Sequence, residues 1–477
     1  MKHVPLQPTD TGSRVALQAF LTECRSTAVA RGRPQLVSIS VEAGMLDPLA
    51  VLESIYEPGE LHFYCERASV GMAVAGADAV VRFSLSGDRR FEQARRFIEE
   101  TLEHTVAVGD LSLPFAGPHF FCGFGFFDQS EPEFPFPAAT VFVPRWQVGR
   151  REDRYTAVAN LVVAPDAPVE PMVERVWRVS TKFRSFQYAE PVGDAREPAR
   201  GAVTTAEVGP ERGFEASVAT ALELIRGGAF RKIVVARALE ALSSVDFHPL
   251  ALLNTLRGRF PDCYAFSFGN GHGQSFIGAS PERLVRMHQR EILTEALAGS
   301  APRGRTASED AAFGAGLLRS EKDLREHAIV VDSLVRRLAE LGVVPEVSSR
   351  PRLKQVSNVQ HLHSPIMARA DEALHVLDVV SVLHPTPAVG GTFREVACPH
   401  IRLLEPFARG LYAGPVGWAD AKGEGEFLVA IRSALVDGSR ARLFAGAGIV
   451  EGSVPGLELA ETNLKFHAML DVFRDQR

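Results

Sequence analysis

Apolar positions along the chain alternate between two periods. In the N-terminal part, RPQLVSISV, LHFYCE, AVVRFSL, AATVFVPRWQV and RYTAVANLVVA are β-branched and aromatic runs of strand type. FEQARRFIEETLEHT instead repeats its apolar residues as an amphipathic helix does. FFCGFGFFD reads as a buried strand broken by glycine. No GK[ST] follows it and no βαβ pattern surrounds it, so its glycines resemble a nucleotide loop only superficially. Further on, Phe214, Val218, Ala221, Leu222 and Ile225 mark one helix face, which stops at Gly227-Gly228. KIVVARALEAL, QSFIGAS, EILTEALAG, FLVAIRSALV and ARLFAGAGIV are strand runs, the first beginning at Lys232. Helical spacing predicts long helices over residues 309–342 and 457–473. Strand runs with segregated helices predict an α+β fold with large, mostly antiparallel sheets. A polar, Pro/Gly-containing stretch over residues 190–213 is the best candidate boundary.

Composition narrows the class. The chain has 477 residues, 46% hydrophobic and 23% charged, enough for a large core or two domains. A net charge of −6 without any Lys/Arg-rich run argues against a nucleic-acid partner. The first residues lack the apolar stretch of a secretory signal, and no run approaches the ~20 apolar residues that span a bilayer. A cytoplasmic protein without a membrane partner is the expectation. The five cysteines are widely spaced and form no CxxC, which suits reduced thiols and argues against a zinc site or disulfide framework.

Candidate chemistry concentrates in the C-terminal half. Asp323 and Glu326, and again Glu458 and Glu461, stand at i, i+3 spacing, so each pair shares a helix face. Two such faces brought together would crowd up to four carboxylates, and hard oxygen donors point to Mg²⁺ shared with an anionic substrate. The same spacing also describes a solvated face, and Glu461 to Lys465 is an ordinary ion-pair spacing. Lys232 heads an apolar strand, either as a snorkelling surface residue or as a desolvated lysine able to act as a base. Glu282 follows the Ser280-Pro281 turn signal, where it is either solvated or a general acid at the edge of a cleft. Arg432, flanked by apolar residues in a strand run, requires an anionic partner. Lys465 shares the stripe of Glu458 and Glu461. Gly446, Ala447 and Gly448 offer backbone amides to a carboxylate, or serve only tight strand packing.

KIVVARALE, FIGASPERL, TEALAGSAPRG, SEKDLREHAIVVDSL, HLHSPIMA, LHPTPAVGG, GLYAGPVGW, GEFLVAIRSALV and RLFAGAGIVEGSVPGLELAETNLKF resemble the ordered motifs of the chorismate-utilising enzymes, over residues 214–475. The resemblance implies one intimately packed domain of two large stacked antiparallel sheets with outer helices. The 190–213 stretch then becomes an internal connection. It also implies chorismate as substrate, Mg²⁺ as cofactor and no obligate protein partner, with a monomer as the default. Among the members, Lys232 resembles the water-adding branch. Ala298 stands where aminodeoxychorismate synthases carry a nucleophilic lysine, and VVDSLVRR departs from the DLxRND pattern of aminating enzymes. Ala388 and Ser300 fit isochorismate synthases. By the same resemblance, Lys232 is the base and Glu282 the acid. Glu326 and Glu461 are the direct metal ligands, with Asp323 and Glu458 direct or through water. Gly299, His361 and Thr386 shape the ring site, while Tyr412, Arg432, Lys465 and the Gly446–Gly448 amides bind carboxylates. Salicylate synthase and anthranilate-type synthase are the alternatives, and the long N-terminal region leans toward the quinone-pathway members.

Overall fold

Thirty phenylalanines need an interior, and the fold supplies one between two β-layers. The computed structural model describes residues 1–4, 14–184, 202–356 and 359–475. In one layer the hydrogen-bonded order is Thr204–Glu207, Lys232–Leu242, Arg440–Val450, Ser433–Asp437, Ser275–Ser280, Tyr264–Asn270, Leu61–Arg67 and Met72–Leu85. In the other it is Ala139–Arg151, Phe120–Phe124, Pro415–Ala419, Gly425–Val429, Arg283–His288, Glu291–Pro302 and Val359–Arg369. The long ribbon of Met72–Leu85 against Ala139–Arg151 joins the two, so the expected pair of sheets is one continuous hydrogen-bonded system. Nearly every pairing is antiparallel; the two parallel ones involve Thr105–Val108, in a side arm reached through Arg154–Val163. In both layers N-terminal strands bond directly to C-terminal ones. Of the candidate boundary, residues 190–201 lie outside the described residues, and Thr204–Glu207 is already a strand.

The layers meet through aromatic rings. Phe63 stacks on Phe121 with centroids 4.3 Å apart, and Phe142 meets Phe268 edge-on at 5.8 Å. Phe63, Phe120, Phe121, Phe124, Phe142, Phe266, Phe268 and Phe276 are fully buried, each contributing roughly 1.5–3 kcal/mol by burial. No helix among the described residues is long and apolar enough to cross a membrane.

Two predicted elements differ in ways that matter for the site. The long helix over 309–342 is two helices, Ala307–Leu317 and Glu321–Glu340. The first ends at Leu317, and Ser320 caps the second, its hydroxyl accepting the Asp323 N–H at 3.3 Å. FLVAIRSALV is two strands, Gly425–Val429 and Ser433–Asp437, and Arg432 sits between them at φ 51° rather than inside a strand. The last helix, Pro455–Arg474, begins with proline at its first position, where the missing N–H costs nothing.

Candidate active site

The cleft opens where the Glu321–Glu340 and Pro455–Arg474 helices flank the Lys232–Leu242, Glu291–Pro302, Val359–Arg369 and Arg440–Val450 strands. Together with the open solvent at its mouth it spans about 810 Å³. Of the residues singled out above, Glu282, Gly299, Ser300, Asp323, Glu326, His361, Ala388, Tyr412, Arg432, Gly446, Gly448, Glu461 and Lys465 line it. Ala298 lines it as well, so no lysine stands at that place. Lys232, Thr386, Ala447 and Glu458 do not line it, each for an identifiable reason.

Lys232 is buried just behind the wall and donates from Nζ to Glu326 Oε1 at 2.8 Å. Gly448 leaves the space for this pair. A Cβ there would lie 2.6 Å from Glu326 Oε1 and 2.9 Å from Lys232 Cε. Ala447 is the register partner of Val235 and turns its side chain into the apolar core. Thr386 is buried in the turn before Ala388 and accepts that residue's N–H at 3.3 Å, so it supports the wall from behind. Glu458 falls on the helix stripe with Thr462 and Phe466 that faces the interior, and Lys322 Nζ binds its Oε1 at 3.0 Å. Glu461, one step around the helix, reaches the cleft.

Lys322 itself lines the cleft and received no role from the sequence. It lies inside a quoted motif, but a lysine in a Ser-Glu-Lys-Asp run reads as solvated. Only the docking of the two helices brings it to Glu458.

The acid positions differ in their electrostatics. Glu282 is buried, and desolvation, reinforced by the nearby charge of Glu295, pushes its carboxyl up to about 8, so it carries its proton at neutral pH. Asp323 is also raised, first by burial and then by Glu326 and Glu461. Glu461 is lowered: burial opposes its charge, but Lys465 outweighs this through a 2.7 Å ion pair. The i, i+4 pair is thus present, within the cleft wall. Lys465 also donates to the Gly446 carbonyl at 2.7 Å. Burial drives His361 down to about 3, so its ring is neutral. Its Nδ1 bonds Ser300 Oγ at 2.9 Å, and its buried Nε2 has no partner among the described residues.

Gly299 has φ 77° at a bulge between Ala298 and Ser300, and a Cβ there would press on Asp323 at 3.1 Å. Beyond Phe444, one edge of the Arg440–Val450 strand has no strand partner among the described residues, so the Gly446 and Gly448 backbone borders open space. Tyr412 stacks on Phe444 at 5.1 Å. The Arg432 guanidinium has no hydrogen bond or ion pair among the described residues. A cation so placed calls for an anionic ligand.

Asp323, Glu326 and Glu461 are hard oxygen donors on one wall, near enough for two of them to raise the third. That donor chemistry fits a divalent cation such as Mg²⁺. As the side chains stand, Glu326 and Glu461 each face a lysine, and no three His, Cys, Asp or Glu among the described residues are gathered as ligands.

Comparisons with known proteins agree with this fold. Residues 19–474 match the model of the chorismate binding enzyme family. The chain is 36% identical to the salicylate biosynthesis isochorismate synthase of Pseudomonas aeruginosa over 95% of this chain and 93% of that protein. It is 32% identical to the isochorismate synthase MenF of Bacillus subtilis over 93% and 94%. Among solved structures, the menaquinone-specific isochorismate synthase MenF of Escherichia coli superposes with a TM-score of 0.76 at 25% identity, covering 95% of this chain and 99% of that one. With a family model spanning almost the whole chain, and a shared fold that carries the motifs to one cleft, the protein belongs to the chorismate binding enzymes.

Proposed function

We propose that the protein is a Mg²⁺-dependent isochorismate synthase, converting chorismate reversibly to isochorismate. The observation that carries the reading is the composition of one cleft. It combines a carboxyl that keeps its proton at neutral pH, Glu282, with a cation that has no hydrogen bond or ion pair among the described residues, Arg432, and a buried lysine, Lys232, against its wall. Those are the parts of an allylic displacement on a dianion.

In this mechanism Lys232 accepts a proton from water as the water attacks C2 of the ring. Glu282 donates its proton to the C4 hydroxyl as that group leaves, and the double bonds shift between the two carbons. A hydroxyl enters and a hydroxyl departs, so the equilibrium constant lies near unity. A base must offer a lone pair, and Lys232 Nζ is donating to Glu326. A neutral amine keeps two N–H groups, so Lys232 can go on donating to Glu326 while its lone pair takes the proton. Glu326 and Glu461, with Asp323 beside them, are the residues that would hold Mg²⁺, and Glu458 would act at most through water. The ion would neutralise a substrate carboxylate and fix its position. Arg432, Tyr412 and the open Gly446–Gly448 backbone bind the remaining carboxylate. Neutral His361, bonded to Ser300, lines the ring site together with Ala388.

The test is incubation of the purified protein with chorismate, with and without Mg²⁺, followed by chromatography. Isochorismate rising to a fixed ratio, and the same ratio reached from isochorismate, supports the reading. Salicylate and pyruvate accumulating at the isomerisation rate would replace it with salicylate synthase. Product that appears only with ammonium would replace it with an anthranilate-type reaction. For the product's destination we favour quinone biosynthesis, supported by the likeness to the two MenF proteins. The name of the Pseudomonas aeruginosa relative favours salicylate instead.

A further inference from the structure

Glu282 is fixed from behind by side chains that do not line the cleft. Glu295 is buried in the Glu291–Pro302 strand, and its Oε1 accepts the N–H of Arg283 at 3.0 Å. The same oxygen accepts Lys354 Nζ at 2.9 Å, and Lys354 also donates to the Pro281 carbonyl at 2.8 Å. Oε2 bonds His363 Nε2 at 2.7 Å. The residues immediately before and after Glu282 are therefore tied to one carboxylate–ammonium pair. Glu282's own N–H donates to Ser280 Oγ at 3.2 Å, and its carbonyl accepts the Val429 N–H at 3.1 Å. So much fixed backbone around one carboxyl exceeds what a strand end needs.

We propose that Glu295 is a positioning residue for the Glu282 acid: with Lys354 and His363 it locks the peptides on both sides of Glu282 and stands a fixed negative charge behind its carboxyl. This rests on the reading of Glu282 as the proton donor. Glu295 remains charged although burial opposes it, because His363, Lys354 and Arg283 hold it well below the ordinary range. Four charged groups on four elements bear on Glu282. Glu295 favours the protonated carboxyl, whereas Lys354, Lys232 and Lys465 favour the ionised one. Tyr412, across the cleft wall, also senses it. The clamp therefore has a sign that a purely mechanical support lacks.

The experiment compares pH profiles of kcat/KM for wild type, Glu295→Gln and Lys354→Met. Glu295→Gln keeps the shape and removes the charge, so the alkaline limb should move down by about one pH unit. Lys354→Met removes a neighbouring positive charge, so the limb should move up. Limbs that stay in place, or that move the same way in both variants, overturn the proposal. Either variant alone carries its own sign if the other fails to fold. A second readout needs no turnover: the ¹³C carboxyl resonance of Glu282, assigned with Glu282→Gln, titrates lower in Glu295→Gln. A shift of that resonance in a protein without isomerase activity would sink the proposed function and retain the clamp. Isomerase activity with an unmoved resonance would do the reverse.

Discussion

A methyl group added at Gly448 is expected to separate catalysis from folding. Gly448 has no left-handed φ to defend, so alanine is compatible with its backbone. Its new Cβ would lie 2.6 Å from Glu326 Oε1, 2.9 Å from Lys232 Cε and 3.3 Å from Lys232 Nζ. Ordinary contact begins near 3.4 Å, so the Glu326 oxygen must retreat by about 0.8 Å and the lysine stem by about 0.5 Å. Both are ends of long side chains, which yield by rotation. The stability cost should therefore stay below the ~1–3 kcal/mol of a rigid overpacked core. Gly→Ala also stabilises by ~0.4–1 kcal/mol through the unfolded chain. Catalysis has no such slack, because a displacement on the order of 1 Å at a reacting group can cost about 10²-fold in rate. Gly448→Ala should thus melt within a few degrees of wild type while kcat falls on the order of 10- to 100-fold. Steady-state kinetics and a thermal melt on the same preparation test it. Wild-type kcat with an ordinary melt would remove the Lys232–Glu326 pair from the chemistry. A collapse of the melting temperature would show that the space at Gly448 serves packing.

Other expected outcomes follow from the same residues. Lys232→Ala should lower turnover by several orders of magnitude while calorimetry still detects Mg²⁺ and chorismate binding; wild-type turnover would refute Lys232 as the base. Glu326→Gln should shift the Mg²⁺ titration of activity to higher concentration, and an unchanged titration would take Glu326 out of the metal shell. The pH profile of kcat/KM should fall on its alkaline side from about pH 8, because burial and Glu295 raise the Glu282 carboxyl to about 8 and it must hold its proton to donate it. A profile flat through pH 9 would argue against Glu282 as the acid.

How much of this was legible in the sequence depends on the kind of signal. Strand runs such as KIVVARALEAL and the amphipathic helix at residues 90–103 were readable because period and residue type coincide along a continuous segment. The break at Ser320 was not, since the apolar spacing runs straight through a cap whose effect depends on one hydroxyl meeting one N–H. Arg432 read as a strand residue because its neighbours are apolar; its left-handed backbone shows only in three dimensions. The i, i+3 rule correctly placed Asp323 and Glu326 on one face. It could not say that Glu458 would turn inward while Glu461 turned to the cleft, because that depends on how the last helix is rotated against the sheet. Lys322, Glu295 and Lys354 went unassigned for a related reason. Each reads as a surface charge until a partner distant in sequence, Glu458 for the first and Pro281 for the last, arrives beside it. The motifs supplied the side chains that share one cleft; helix docking decided which of them line it.

In the proposed reaction water enters at C2 as the C4 hydroxyl leaves. It is tested most directly by running the reaction in H₂¹⁸O with chorismate and Mg²⁺ and locating the label by mass spectrometry of the product ring. The expected product is isochorismate carrying one ¹⁸O, on C2. Isochorismate formed without label, or with label elsewhere on the ring, would contradict it.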